Sequence, residues 1–168
     1  MSQSRSLAHE QSKLAASKAA GERSEDYLIQ WIEEIRYVPD DEALGYDAIT
    51  TTLLEPSEEI QFVGMCLLER GTEIEIKSTA VVITETQTRG RLQFRKPQHD
   101  RLLEIGGVYM IAVCAPHDRE PIAVKVIPAS LLDELLYGWI EVDGRAPYAQ
   151  LTWTNLFDVD EIEGGGNR

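Results

Sequence analysis

Residues 108–115, Val-Tyr-Met-Ile-Ala-Val-Cys-Ala, form an almost unbroken apolar run. A run of this length with three β-branched residues reads as a strand covered on both faces. Such a strand needs helices or further layers on each side, so it points to an α/β sandwich around a mixed sheet. The rest of the chain supplies the pieces. Residues 21–36 carry Tyr27, Leu28, Trp31, Ile32 and Ile35 at helical spacing, with Ser24 as a cap and Glu25 and Asp26 at the positive end. Strands are expected over residues 46–54, Ile60–Leu68, 72–83 and Ile122–Ile127. A helix is expected over 97–105, begun by Pro97 and ended by Gly106-Gly107, with Leu102 and Ile105 facing the core. Another is expected from Pro128 to Tyr137. Trp139 and Trp153 are expected packing residues in a C-terminal third of short strand pieces.

The chain has 168 residues, 43% of them hydrophobic and 27% charged. That length and balance fit one soluble domain. We expect a loose or helical lead-in over residues 1–20, the domain over 21–157, and a disordered acidic, Gly-rich tail over 158–168. No apolar run approaches the roughly 20 residues that span a bilayer, and no signal peptide is read at the N-terminus. Cys66 and Cys114 each sit in an apolar strand without C-x-x-C spacing, so they read as core thiols of a reducing, cytoplasmic compartment.

The net charge of −13 argues at first sight against a polyanionic partner. Only five of the sixteen basic residues are lysine, however. An acidic, Lys-poor surface suits a halophilic source, where molar salt screens charge within a few ångströms and net charge reports solubility. The positive charge is also clustered. Arg89, Arg91, Arg95 and Lys96 fall within eight residues, and Leu92 and Phe94 alternate with them. A short strand there points arginines one way, either as ordinary surface charge or as a strip for phosphates.

Gly71-Thr-Glu-Ile-Glu-Ile-Lys-Ser-Thr79 carries the chemistry. Ile74 and Ile76 share one face of a strand; Glu73, Glu75 and Lys77 share the other. Glu75-x-Lys77 holds a carboxylate and an amine about 7 Å apart on one side. The plain reading is a solvated edge strand with an ion pair of little worth. The chemical reading is a hard cation on the carboxylate with an amine beside an activated water. Asp47 opens a strand after Gly45-Tyr46, where Asp is disfavoured, so it is either a turn cap or a ligand. Glu25 is either a partner of the helix N-terminus or a carboxylate aimed inward. Gln98 shares a helix face with Arg101, and His99 beside it reads as a surface residue. Among the described motifs no nucleophilic Ser or Cys arrangement and no Gly-rich phosphate loop stands out.

The order of these features resembles the PD-(D/E)xK nuclease superfamily, whose core runs α-β-β-β-α-β. The matching residues are Glu25 in Gly21-x-x-x-Glu25, Asp47 in Gly45-Tyr46-Asp47, Glu75 and Lys77 in Glu75-x-Lys77-Ser-Thr, and Gln98, across about residues 21–127. The pattern looks most like the archaeal Holliday-junction-resolvase branch and restriction-endonuclease-like domains. Tyr46 stands where the family has proline, and Asp40 of Pro39-Asp40 is the other candidate for the first acid. Asp47 and Glu75 lie 28 positions apart, which suggests an added strand, Ile60–Leu68, in the hairpin.

The resemblance implies a metal-dependent endodeoxyribonuclease. Asp47, Glu75 and the Ile76 carbonyl would hold Mg²⁺ or Mn²⁺. Lys77 would orient or deprotonate a water. Glu25 would support a ligand or second ion, Gln98 would position a phosphate or water, and Arg89, Arg91, Arg95 and Lys96 would grip DNA. A homodimer would suit a junction cut twice. The alternatives are a non-catalytic nucleic-acid-binding or interaction domain on the same fold, and an unrelated acidic α/β domain.

Overall fold

The computed structural model describes residues 23–39, 46–54, 61–64, 68–83 and 87–163. The lead-in over 1–20, Asp40, Gly45 and Cys66 lie outside them. The first helix, α1, covers residues 23–31. It is followed by β1 (Ile35–Tyr37), β2 (Ala48–Thr50), β3 (Gln61–Phe62) and β4 (Glu73–Ala80). Next come β5 (Val82–Ile83), β6 (Thr88–Arg89), β7 (Arg91–Arg95), α2 (Lys96–Ile105), β8 (Val108–Cys114) and β9 (Pro121–Pro128). The chain closes with α3 (Ala129–Asp133), β10 (Tyr148–Thr152), a 3-10 turn over Trp153–Asn155, and α4 (Val159–Glu163).

Six strands form the central sheet in the order β1-β2-β4-β8-β9-β3. β1, β2 and β4 run antiparallel in turn, β4 pairs parallel with β8, and β8 pairs antiparallel with β9. The apolar run therefore lies inside the sheet, and all seven residues of β8 are buried. Its side chains alternate between two cores. Val108, Met110, Ala112 and Cys114 pack with Leu28 of α1 and Ile32 just after it. Tyr109, Ile111 and Val113 pack with Leu102 of α2, Leu132 of α3 and Trp153. Ile74 and Ile76 of β4 join the first core. By alternation, Glu75 and Lys77 project toward the second layer, under α2.

On that side a two-stranded ribbon packs. β10 runs antiparallel to β7 in the register Tyr148↔Arg95, Gln150↔Gln93 and Thr152↔Arg91. Leu92 and Phe94 are buried while Arg91, Gln93 and Arg95 are exposed, as the alternation requires. The ribbon enters through Gly90. A Cβ there would strike the Ala80 carbonyl oxygen and the Thr79 hydroxyl. Gly90→Ala should therefore cost about 1–3 kcal/mol, as overpacking against backbone does. A lowered urea midpoint with unchanged m-value checks it.

The structure corrects several expectations. Residues 35–37 leave the helix and become the edge strand β1, because Ile35 is buried against the sheet. The strand placed over 46–54 shrinks to three residues. Of the one placed over Ile60–Leu68, the described residues form a strand only at Gln61–Phe62, at the far edge next to β9, and Leu68 bridges to Leu54; residues 60 and 65–67 lie outside the described set. Ile105 is 39% exposed, so Leu102 alone of that pair reaches the core. The helix expected over 128–137 ends at Asp133. The first part of the tail is helical: α4 (Val159–Glu163) lays Ile162 into the second core. Residues 164–168 lie outside the described set. Cys114 is a buried free thiol, raised above its ordinary pKa by burial, which suits a core residue. Among the described residues no helix is long and apolar enough to cross a membrane.

Candidate active site

The site is built on β4. Its neighbours β2 and β8 cover it on both edges, so Glu75 is 3% exposed. The solvated edge strand of the plain reading is therefore ruled out. Two bonds clamp Asp47 to β4. Its amide donates to the Ile74 carbonyl at 2.8 Å, and its Oδ2 accepts from the Ile76 amide at 2.9 Å. Asp47 thus leaves the regular ladder where β2 begins, and its carboxylate is held by backbone beside Glu75. The strand expected to begin at Asp47 begins one residue later, so Asp47, disfavoured in strands, sits just outside β2 and is held by this bond.

Lys77 and Gln98 complete the cluster. The Lys77 ammonium is 3.4 Å from Glu75 Oε1 and donates to Gln98 Oε1 at 3.1 Å. Gln98 Nε2 donates to the same Glu75 Oε1 at 2.8 Å. Gln98 comes from the first turn of α2, whose start carries Pro97 and whose end is capped by left-handed Gly106. α2 is pinned from below by His99. This residue is fully buried, with Nδ1 2.8 Å from the Tyr109 hydroxyl and Nε2 2.8 Å from Asp133 Oδ1. The surface placement expected for His99 is wrong, because the turn that aims Gln98 at β4 aims the next residue at Tyr109 and α3. The signal was present in the apolar Tyr109, which alternation sends to the α2 side.

The electrostatics are those of a strained pair of acids. Burial, and then the Asp47 carboxylate, push the Glu75 carboxyl up to about 8, against the downward pull of the Lys77 ammonium. Tyr109, the cross-strand partner of Glu75, is pushed above the ordinary phenol range, first by burial and then by that carboxylate. Glu75 Oε1 is fully engaged, whereas Oε2 is buried and has no hydrogen-bond partner. A buried acceptor without a donor costs about 1–3 kcal/mol, so it calls for a cation or proton. Asp47 and Glu75 therefore hold a proton between them in the metal-free protein, and a small hard cation that takes one or two carboxylates and fills its other positions with water or phosphate fits in place of that proton. Among the described residues no group of three or more His, Cys, Asp or Glu side chains assembles. Glu25 is half-buried on α1 and forms no such trio with Asp47 and Glu75.

The basic segment flanks this cluster. Lys77 and Gln98 line a hollow of about 310 Å³ together with Gln93 and Arg95. Arg91 is exposed on the same face of β7. The Arg89 guanidinium lies 6.0 Å from the Trp153 ring centre at the other end. Lys96 is turned to Asp100 at 3.1 Å and lies 5.2 Å from the Trp139 ring centre. Gln93, on the wall beside Lys77, escaped the sequence reading, since only the basic residues of 89–96 marked that stretch.

The α-β-β-β-α-β core, with Asp47 just before β2, Glu75 and Lys77 on β4 and Gln98 on α2, has the restriction-endonuclease-like architecture. The chain belongs to the PD-(D/E)XK nuclease superfamily: the family model for a PD-(D/E)XK nuclease superfamily domain matches residues 10–158. No curated protein and no solved structure matches the chain.

Proposed function

We propose that this chain is a metal-dependent endonuclease that hydrolyses phosphodiester bonds in DNA. The observation that carries the reading is the buried, unpartnered Glu75 Oε2 beside Asp47, with Lys77 on the neighbouring oxygen. Asp47 and Glu75 are the residues that would hold Mg²⁺ or Mn²⁺, with the Ile76 carbonyl as the main-chain donor. Such an ion supplies charge on the scissile phosphate and lowers the pKa of water. Lys77 holds its ammonium at the mouth of the hollow, where it orients the attacking water and offsets charge that develops on phosphorus-bound oxygen. Gln98 fixes Lys77 and Glu75 relative to each other, and its position at the hollow suits a phosphate contact. Glu25 lies on α1, which packs against the opposite face of β4 from Glu75 and Lys77, and is left out of this set. Arg89, Arg91, Arg95 and Lys96 contribute contacts to the DNA backbone that do not depend on sequence. A four-way junction needs two cuts, so a resolvase would work as two copies of this chain.

The test is cleavage of labelled duplex, single-stranded and four-way-junction DNA, with Mg²⁺, with Mn²⁺ and with EDTA, in dilute and in molar KCl. Cutting that needs the metal supports the reading. Preference for the junction assigns a resolvase, and preference for duplex assigns a restriction or repair enzyme. A folded protein that binds DNA yet cuts none of the three would instead be a binding module on this fold.

A further inference from the structure

Beside the Lys77 hollow lies a second one, of about 510 Å³, lined by Gln93, Arg95, Arg145, Ala146, Tyr148 and Gln150. The two share Gln93 and Arg95, so they adjoin along β7. The second half of its wall comes from β10 and the turn before it, some fifty residues beyond β7 in sequence. The register places Gln150 opposite Gln93 and Tyr148 opposite Arg95, so these side chains share the outer face of the ribbon. The wall holds two guanidiniums and no carboxylate, in a chain of net charge −13. It is also rigid. Arg145 N–H closes a turn on the Val142 carbonyl at 3.1 Å, with Gly144 at φ +80°. The Lys96 amide donates to the Pro147 carbonyl at 2.8 Å, which ties this turn to the start of α2 and hence to Gln98.

Resting on the nuclease reading above, we infer that this hollow is a subsite for the nucleotide flanking the scissile phosphate, with Arg145 and Arg95 gripping its phosphodiester. Its volume is within the range of small-ligand pockets, about 300–1,000 Å³. Guanidiniums on both sides suit the bidentate capture of a phosphate. Gln93 and Gln150 supply amides for sugar or further phosphate oxygens, and the Tyr148 ring supplies an apolar wall. Because the contacts are to the backbone, the subsite adds affinity and register without reading sequence.

The experiment measures binding of a labelled DNA duplex by the full chain in a Glu75→Gln background with Mg²⁺, across a salt series, alongside cleavage in the otherwise unaltered chain. Arg145→Ala with Gln150→Ala should raise Kd about tenfold near 0.1 M salt and lower the slope of log K against log salt by about 1, as loss of one phosphate contact does. Arg145→Lys should recover most of the slope and part of the affinity. Both positions are exposed, so the melting transition should hold and a loss of affinity cannot be a loss of fold. If the parental chain binds and cuts DNA and the Arg145 variants match it in affinity and slope, the subsite is wrong while the nuclease reading stands. If the parental chain neither binds nor cuts, both are overturned.

Discussion

Glu75→Gln is expected to reduce cleavage by about a thousandfold or more and, in metal-free protein at pH 8, to raise the melting temperature. The loss of activity follows from removing an anionic ligand at the charge-stabilising centre of the site. The gain in stability follows from burial. Unfolded Glu75 ionises near 4.5 and folded Glu75 near about 8. Between those values the unfolded chain has released a proton that the folded chain keeps, so stability falls as pH rises through the window and levels off above it. Glutamine carries no such proton, and its amide can still meet both Gln98 and Asp47. The variant should match the parent near pH 4.5 and exceed it near pH 8 by a few kcal/mol, on the order of several degrees for a chain of this size. A divalent cation inverts the comparison. It must displace the proton of Glu75, so Mg²⁺ or Mn²⁺ should stabilise the parent more at pH 8 than at pH 6 and leave Glu75→Gln almost unmoved. Thermal melts at the three pH values, with metal and with EDTA, read all of this. Equal melting of parent and variant at every pH would show that Glu75 is not held as a buried acid.

Lys77→Ala is the second large effect, an expected fall in cleavage of about a hundred- to a thousandfold. Its ammonium meets Glu75 Oε1 at 3.4 Å and Gln98 Oε1 at 3.1 Å, and its side chain keeps only 20% exposure. Removing it deletes the group that orients water, frees the Gln98 carbonyl, and withdraws the one influence that lowers the Glu75 pKa. Metal affinity at pH 7 should drop with it, a readout independent of turnover. Lys77→Arg should not rescue cleavage, because a planar fork cannot take the place of a compact ammonium between two oxygens. Single-turnover rates and metal titrations for the three proteins make the measurement. Cleavage by Lys77→Ala at the parental rate would remove Lys77 from the site.

Much of this arrangement was legible in local pattern. Period-two alternation over residues 73–77 and the apolar run over 108–114 assign faces without any knowledge of neighbours. Those two strands, with the Pro97 and Gly106 punctuation of α2, bring Glu75, Lys77 and Gln98 within reach of one another. The misreadings arose where a segment's fate depends on what packs against it. Residues 35–37 continue a helical stripe by spacing, yet Ile35 is worth more against the sheet than in a fourth turn. Ile60–Leu68 is apolar enough for a strand, but of its described residues only Gln61–Phe62 pairs at the edge next to β9. Taking β1 as part of the helix and residues 60–68 as a core strand gave five sheet strands where the central sheet has six, and misidentified two of them.

The sequence by itself determined the fold class and the order of acid, acid, lysine and glutamine, since periodicity, caps and turn residues act over a few positions. Tertiary structure alone decided three things. It buried Glu75, because strand order and not sequence sets which strand is interior, and that burial shifts its pKa and leaves Oε2 unpartnered. It turned His99 from the surface into the pin between α2, Tyr109 and Asp133. It also set β10 beside β7, so that Arg145 and Gln150 meet Arg95 and Gln93 across some fifty residues of chain. Each depends on contacts between segments far apart in sequence, where no local rule carries the information.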